Sequence, residues 1–303
     1  MRFNPKADIG GGRVTDVRGG GGGGRMGNLP IGGITGGGIG TTIIVIIIYV
    51  IVQFAGGGGG SGLGAGGPAE TTDRYAECRT GADANENADC ARVAVALSLE
   101  GYWAEVLPQQ TGKQLQPSQI VTFTGGATTG CGSAGSDVGP FYCPTDQTIY
   151  LDTTFFRDVL EGQLGGQGGD FVEPYVLAHE YGHHIQNLLG TMGQVRTQQG
   201  PTSDSVRLEL QADCYAGMWT RGATGTTDQS GTQIFDSIDE SDISEALDSA
   251  KAVGDDRIQQ AGGGDVNKEQ WTHGSSEERA RWFTTGFNAT DIDECDTFAA
   301  DAL

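Results

Sequence analysis

The sequence predicts an α+β domain, mainly helical with a small sheet, behind one N-terminal transmembrane helix. Three observations carry this reading. Apolar residues recur at helical spacing in several stretches after residue 80. One short stretch, residues 147–152 (QTIYLD), alternates as a strand does. A long uncharged segment near the N-terminus has an apolar centre.

The helices are read in order. Residues 88–107 place Val93, Ala94, Leu97 and Tyr102 at helical spacing. A second helix covers residues 173–189, with Pro174 in its first turn and Gly190 closing it. A third runs over Asp204–Trp219, and further helices over Ser241–Val253 and Ser275–Phe287. Tyr150, in the strand QTIYLD, reads as a packing residue. Its strand offers an edge along which an extended peptide could add.

The membrane reading rests on residues 39–55. Their unbroken apolar run is only Ile43–Val52, and a span needs about 20 residues. The uncharged stretch Leu29–Ala69 supplies that length. Residues 1–38 then form a Gly-rich tail, 56–70 a Gly-rich tether and 71–303 the folded domain. Arg2, Lys6, Arg13, Arg18 and Arg25 precede the apolar run, and the chain after it is acidic. The positive-inside rule places the N-terminus in the cytoplasm and residues 71–303 outside, in a single-pass cell-membrane protein.

Cysteine placement points to the same compartment. Cys78, Cys90, Cys131, Cys143, Cys214 and Cys295 all follow residue 70, and their count is even. That suits disulfides in an oxidising environment. Many pairings are open to six cysteines; locality favours Cys78–Cys90 and Cys131–Cys143, leaving Cys214–Cys295. No close CxxC pair suggests a cysteine zinc site. The net charge of −21 argues against nucleic acid as a partner, since phosphate binding needs clustered Lys and Arg.

The chemistry-bearing pattern lies at residues 179–184, His-Glu-Tyr-Gly-His-His. On a helix, His179 and His183 share one face, so both imidazoles can hold one metal ion. Glu180 is turned about 100° away and can act instead on a metal-bound water. Zinc suits neutral imidazole and carboxylate, and a catalytic site keeps one position open for water. The segment Glu209-Leu-Gln-Ala-Asp213 offers the missing third ligand, Glu209. Asp213, four residues on, fits a hydrogen bond to the far nitrogen of a ligand histidine. Ala212, Ala216 and Gly217 are small enough to let this helix approach the first. His184 points off the ligand face and reads as a packed or surface residue.

The blocks FYCPTDQTIYLDTTFF, LAHEYGHHIQNLLG, RLELQADCYAGMW and THGSSEERARWFTTGF, with the start MRFNPKADIGGGRVTDVRGGGG, resemble the bacterial neutral zinc metallopeptidase family. These are membrane-anchored HExxH proteins with a Glu third zinc ligand. The resemblance implies a zincin-like fold, one Zn2+ per chain at His179, His183 and Glu209, and a peptide or protein substrate. His273, in the last block, could donate to the oxyanion formed when water attacks the scissile carbonyl. The function expected is that of a membrane-anchored zinc endopeptidase with Glu180 as general base. The alternatives are a catalytically silent, zinc-containing peptide-binding scaffold and a zinc hydrolase acting on a non-peptide bond of the cell envelope.

Overall fold

The computed structural model describes residues 1–18, 71–135 and 138–303. The four-stranded sheet contains β2 (Val14–Asp16), β3 (Gln119–Phe123), β7 (Thr148–Asp152) and β6 (Phe141–Cys143), in that spatial order. The first three are parallel, and β6 runs antiparallel to β7. Two small pairs complete the strands: β1 (Arg2–Phe3) with β8 (Phe235–Ser237), and the hairpin of β4 (Gly126–Thr129) and β5 (Gly132–Gly135).

The helices are α1 (Gly81–Glu86), α2 (Ala88–Thr111), α3 (Val172–Leu189), α4 (Asp204–Gly222), α5 (Glu240–Ala252), α6 (Asp255–Ala261) and α7 (Ser276–Asn288). The long ones fall where periodicity places them. Gly190 ends α3 with a φ of 85°, a left-handed conformation that glycine adopts without steric cost. Arg92 on α2 forms a buried ion pair with Glu173 in the first turn of α3, fixing the start of that helix. Trp103, Tyr215, Phe171 and Trp219 pack the interior between α2, α3 and α4.

Small residues set the closest helix contacts, though not all as expected. A Cβ on Gly182 of α3 would lie 3.0 Å from the Ala212 carbonyl oxygen, so Gly182 and Ala212 govern the α3–α4 approach. Gly217 faces α7 instead, where a Cβ would lie 2.1 Å from the Phe283 carbonyl oxygen. Gly286 of α7 in turn meets the backbone of Cys214. The three disulfides are Cys78–Cys90, Cys131–Cys143 and Cys214–Cys295, the pairing that locality favours.

Two expectations need correction. The strand holding Tyr150, β7, lies between β3 and β6 and offers no edge; β6 stands at the end of the sheet. Tyr150 itself does pack, stacked on Phe141 at 5.2 Å between ring centroids. The second correction concerns the tail. Residues 1–18 are not separate from the folded domain but part of it: β1 and β2 belong to its sheets, and Phe3, Ala7 and Ile9 are buried in its core. Buried Asp16 accepts from Thr122 at 2.8 Å and from Thr72, and pairs with Arg18. Residues 16 and 72 also form an antiparallel bridge. Placing residues 1–18 and the rest of the domain on opposite sides of a bilayer would require these contacts to break. The expected anchor at 39–55 and tether at 56–70 lie outside the described residues. Among the described residues, no helix is long and apolar enough to cross a membrane.

Candidate metal centre

Helix α3 carries His179 and His183 one turn apart, with ring centroids 4.7 Å from each other. Helix α4 brings Glu209 against them. Glu209 Oε2 is 3.2 Å from His179 Nε2, and Glu209 Oε1 is 3.5 Å from His183 Nε2. A tetrahedral ion with ligand bonds of about 2.1 Å requires ligand atoms about 3.4 Å apart, so these separations fit one zinc ion.

The surrounding hydrogen bonds aim the ligand atoms inward. Asp213 accepts from His179 Nδ1 at 2.8 Å, which puts the ring proton on Nδ1 and leaves Nε2 bare. His183 Nδ1 lies 2.8 Å from Gln186 Oε1. The orientation of Gln186 is set in turn, because its Nε2 donates to the Leu208 carbonyl at 2.7 Å and to Gln211 Oε1 at 3.1 Å. Gln211 Nε2 donates to the Cys295 carbonyl at 3.0 Å. His183 is therefore also protonated on Nδ1 and bare at Nε2. Glu209 Oε1 is buried with no hydrogen-bond partner among the described residues. With both rings neutral, three acceptor groups face one another, a repulsive arrangement that a cation, either a metal ion or a proton on His179 Nε2, relieves. Burial alone would keep His179 neutral, yet Asp213 and Glu209 outweigh it and raise its pKa to about 10. Positive charge is favoured at this point of the fold.

Asp213 is the hub of the support. It also accepts from Tyr175 Oη at 2.6 Å and from Arg279 Nε and Nη2 at 2.8 and 3.0 Å. Burial opposes ionisation of Asp213, but Arg279 and His179 overcome it and hold its carboxyl at about 2. Glu180 is buried beside the cluster. Burial pushes its carboxyl up, while His183 and His179 act against that.

His273 enters the same cavity as His179, Glu180 and Glu209 from the loop before α7. Asp255 organises that loop, accepting from the backbone N–H groups of Thr272, His273 and Gly274 at 2.7, 2.7 and 3.0 Å. The same carboxylate lies 3.3 Å from His273 Nδ1, and Thr272 Oγ1 lies 2.8 Å from it. Burial lowers the tendency of His273 to protonate, but Asp255 prevails and its pKa is raised. His184 has no place in the cluster. It is buried between the Tyr142 hydroxyl, 3.0 Å from Nδ1, and the Gln116 carbonyl, and it joins α3 to β6. A second acidic group, Asp170, Asp242 and Glu245, receives the amino group of Met1 at Asp170 and Asp242.

The sequence reading missed Tyr175, Gln186, Gln211, Asp255 and Arg279. Tyr175 precedes His179 by one helical turn, and that spacing is a usable signal. Asp255 and Arg279 reach the site only through tertiary packing.

The chain belongs to the family described as "Putative neutral zinc metallopeptidase", whose profile matches residues 1–298. It is 48% identical over 241 residues to an uncharacterized protein of Mycobacterium tuberculosis (strain ATCC 25618 / H37Rv), covering 77% of this chain and 80% of that protein. It is 41% identical over 210 residues to the uncharacterized protein YpfJ of Escherichia coli (strain K12), covering 67% of this chain and 69% of that protein. No solved structure matches the chain.

Proposed function

We propose that the protein is a membrane-attached zinc peptidase with a zincin-like arrangement of its active site. The observation that carries this reading is the convergence of three groups that can each offer a ligand atom, His179, His183 and Glu209, all within 4.8 Å of one another. Zinc bound there would polarise the scissile carbonyl and lower the pKa of a water molecule to near 7.

The protein's own groups do the rest. Glu180 takes a proton from the attacking water and passes it to the leaving amine. A carboxyl raised by burial accepts the proton more readily than a free one would. His273, held by Asp255, donates to the oxygen on which negative charge develops. Strand β6 has a named strand on one side only; the Tyr142 backbone amide of β6 bonds to Glu180, so an extended substrate adding to that strand would run past Glu180. A silent scaffold or a purely structural metal site would have no need of Glu180. A zinc-loaded full-length chain should hydrolyse peptides, lose that activity to a chelator and regain it with zinc. Zinc-loaded, folded protein that cleaves no peptide would refute the reading.

Membrane attachment through residues 39–55 belongs to the same proposal, supported by their apolar composition. The disulfides favour an extracytoplasmic catalytic domain. The pairing of residues 1–18 with strands of that domain supports attachment with both on one side of the membrane, rather than a single crossing between them.

A further inference from the structure

The metal cluster opens into a cavity whose remaining walls are largely apolar. Val138, Phe155, Leu164, Val176, Val253 and Ile258 supply them. Val176 is one turn before His179 on α3, Ile258 comes from α6, and Phe155 precedes a π-helix over Phe156–Glu161. The wall nearest β6 is tightly seated. Gly139 has a φ of 73°, and a Cβ there would lie 3.0 Å from the Phe155 ring.

The charged groups at this cavity are already engaged. Arg279 spends its donors on Asp213, at 2.8 and 3.0 Å, and on the Val253 carbonyl at 3.2 Å. Glu209 and His179 belong to the metal cluster, Glu180 is assigned to the attacking water by the peptidase reading, and His273 is bound to Asp255. A charged substrate side chain entering here would lose its hydration and gain no partner. An apolar one would exchange water for Phe155, Leu164 and Ile258.

We propose that this cavity is the specificity pocket of the site, and that it takes one uncharged apolar side chain from a residue adjoining the cleaved bond. The position follows from contiguity: Glu180 and His179 are themselves part of the cavity wall, so its occupant is a neighbour of the reacting carbonyl. This inference rests on the peptidase reading and deepens it. Leu164 is half-buried at the cavity and can accept a polar substitute.

The test uses the zinc-loaded full-length chain and a mixed peptide library. One position beside the cleaved bond should be enriched in Leu, Ile, Phe, Met or Val. Replacing that residue by Asp should lower kcat/KM by about 100-fold or more, because a buried unpaired charge is expensive. Leu164→Asp should weaken the apolar preference by about 10-fold, chiefly through KM, and admit Lys or Arg, with zinc content unchanged. A flat profile beside the bond, or a profile that Leu164→Asp leaves unaltered, would overturn the proposal. If wild type cleaves nothing, the peptidase reading fails, and the pocket is tested by binding instead. Leucine hydroxamate should then bind the zinc-loaded protein at least about 10-fold more tightly than aspartate hydroxamate, with the difference reduced by Leu164→Asp. Equal affinities would overturn the pocket as well.

Discussion

The Asp213 carboxylate lies 2.8 Å from His179 Nδ1, one turn beyond Glu209 on the same helix. The helix that supplies the third acceptor therefore also fixes the ring orientation of the first. Asp213→Ala removes the acceptor for His179, Tyr175 and Arg279 together. Zinc affinity should fall by about 10- to 100-fold, as measured by competition with a chelating dye. Gln186→Leu should produce a loss of similar order through His183. Unchanged affinity in both variants would show that these bonds do not orient the ligands.

His184 gives stability a pH dependence. Burial lowers its pKa from 6.5 to about 4. The unfolded chain thus takes up a proton before the folded one does as pH falls. The contribution of His184 is lost on acidification from about 6.5 to about 4, by on the order of 3 kcal/mol in all, and this residue takes nothing further below that. Urea unfolding in the presence of chelator should show this slope in wild type and a shallower one in His184→Gln. Parallel slopes in that window would refute the assignment.

The Cys214–Cys295 bond closes a separation of 81 residues. It joins the helix of Glu209 and Asp213 to the turn whose carbonyl receives Gln211. The double variant Cys214→Ala/Cys295→Ala should lose about 3–4 kcal/mol of stability in denaturant unfolding. It should also bind zinc more weakly, because Gln211 and Gln186 lose their anchor. Stability within about 1 kcal/mol of wild type would contradict this.

Asp16 tests whether residues 1–18 unfold together with the domain that holds the metal centre. Asp16→Ala takes one of the two carboxylate partners of Arg18, which keeps Asp89, and leaves Thr72 and Thr122 without this acceptor. Losing hydrogen bonds to a buried charge costs about 1.5–3 kcal/mol. Unfolding of the catalytic domain, followed by tryptophan fluorescence, should shift accordingly; a detached tail would leave it untouched.

The long helices and the clustering of His179, His183 and Glu209 were legible because both follow from local patterns. The repeat of apolar residues along Val172–Leu189 and Asp204–Gly222 survives folding, and so do the four-residue spacings His179–His183 and Glu209–Asp213. Of the sheet, β7 was legible from the alternation of residues 147–152 in sequence. Its neighbours were not: β6 is only three residues long and buried throughout, and β1 and β2 have two and three residues. Glycines in the first eighteen residues suggested a tail. Gly12, however, is a contact: a Cβ there would lie 2.4 Å from the Val93 carbonyl oxygen, so the chain lies directly on α2. Arg279 and Asp255 act at the site across sequence separations that no local pattern encodes.

The most direct test of the account compares wild type with Glu180→Gln, both full length and with cysteines oxidised. Bound zinc and peptide hydrolysis are measured side by side. The account expects about one zinc in each protein, with cleavage in wild type and a loss of on the order of 100- to 10,000-fold in the variant. Full hydrolysis by zinc-loaded Glu180→Gln, or no zinc in folded wild type kept free of chelator, would contradict it.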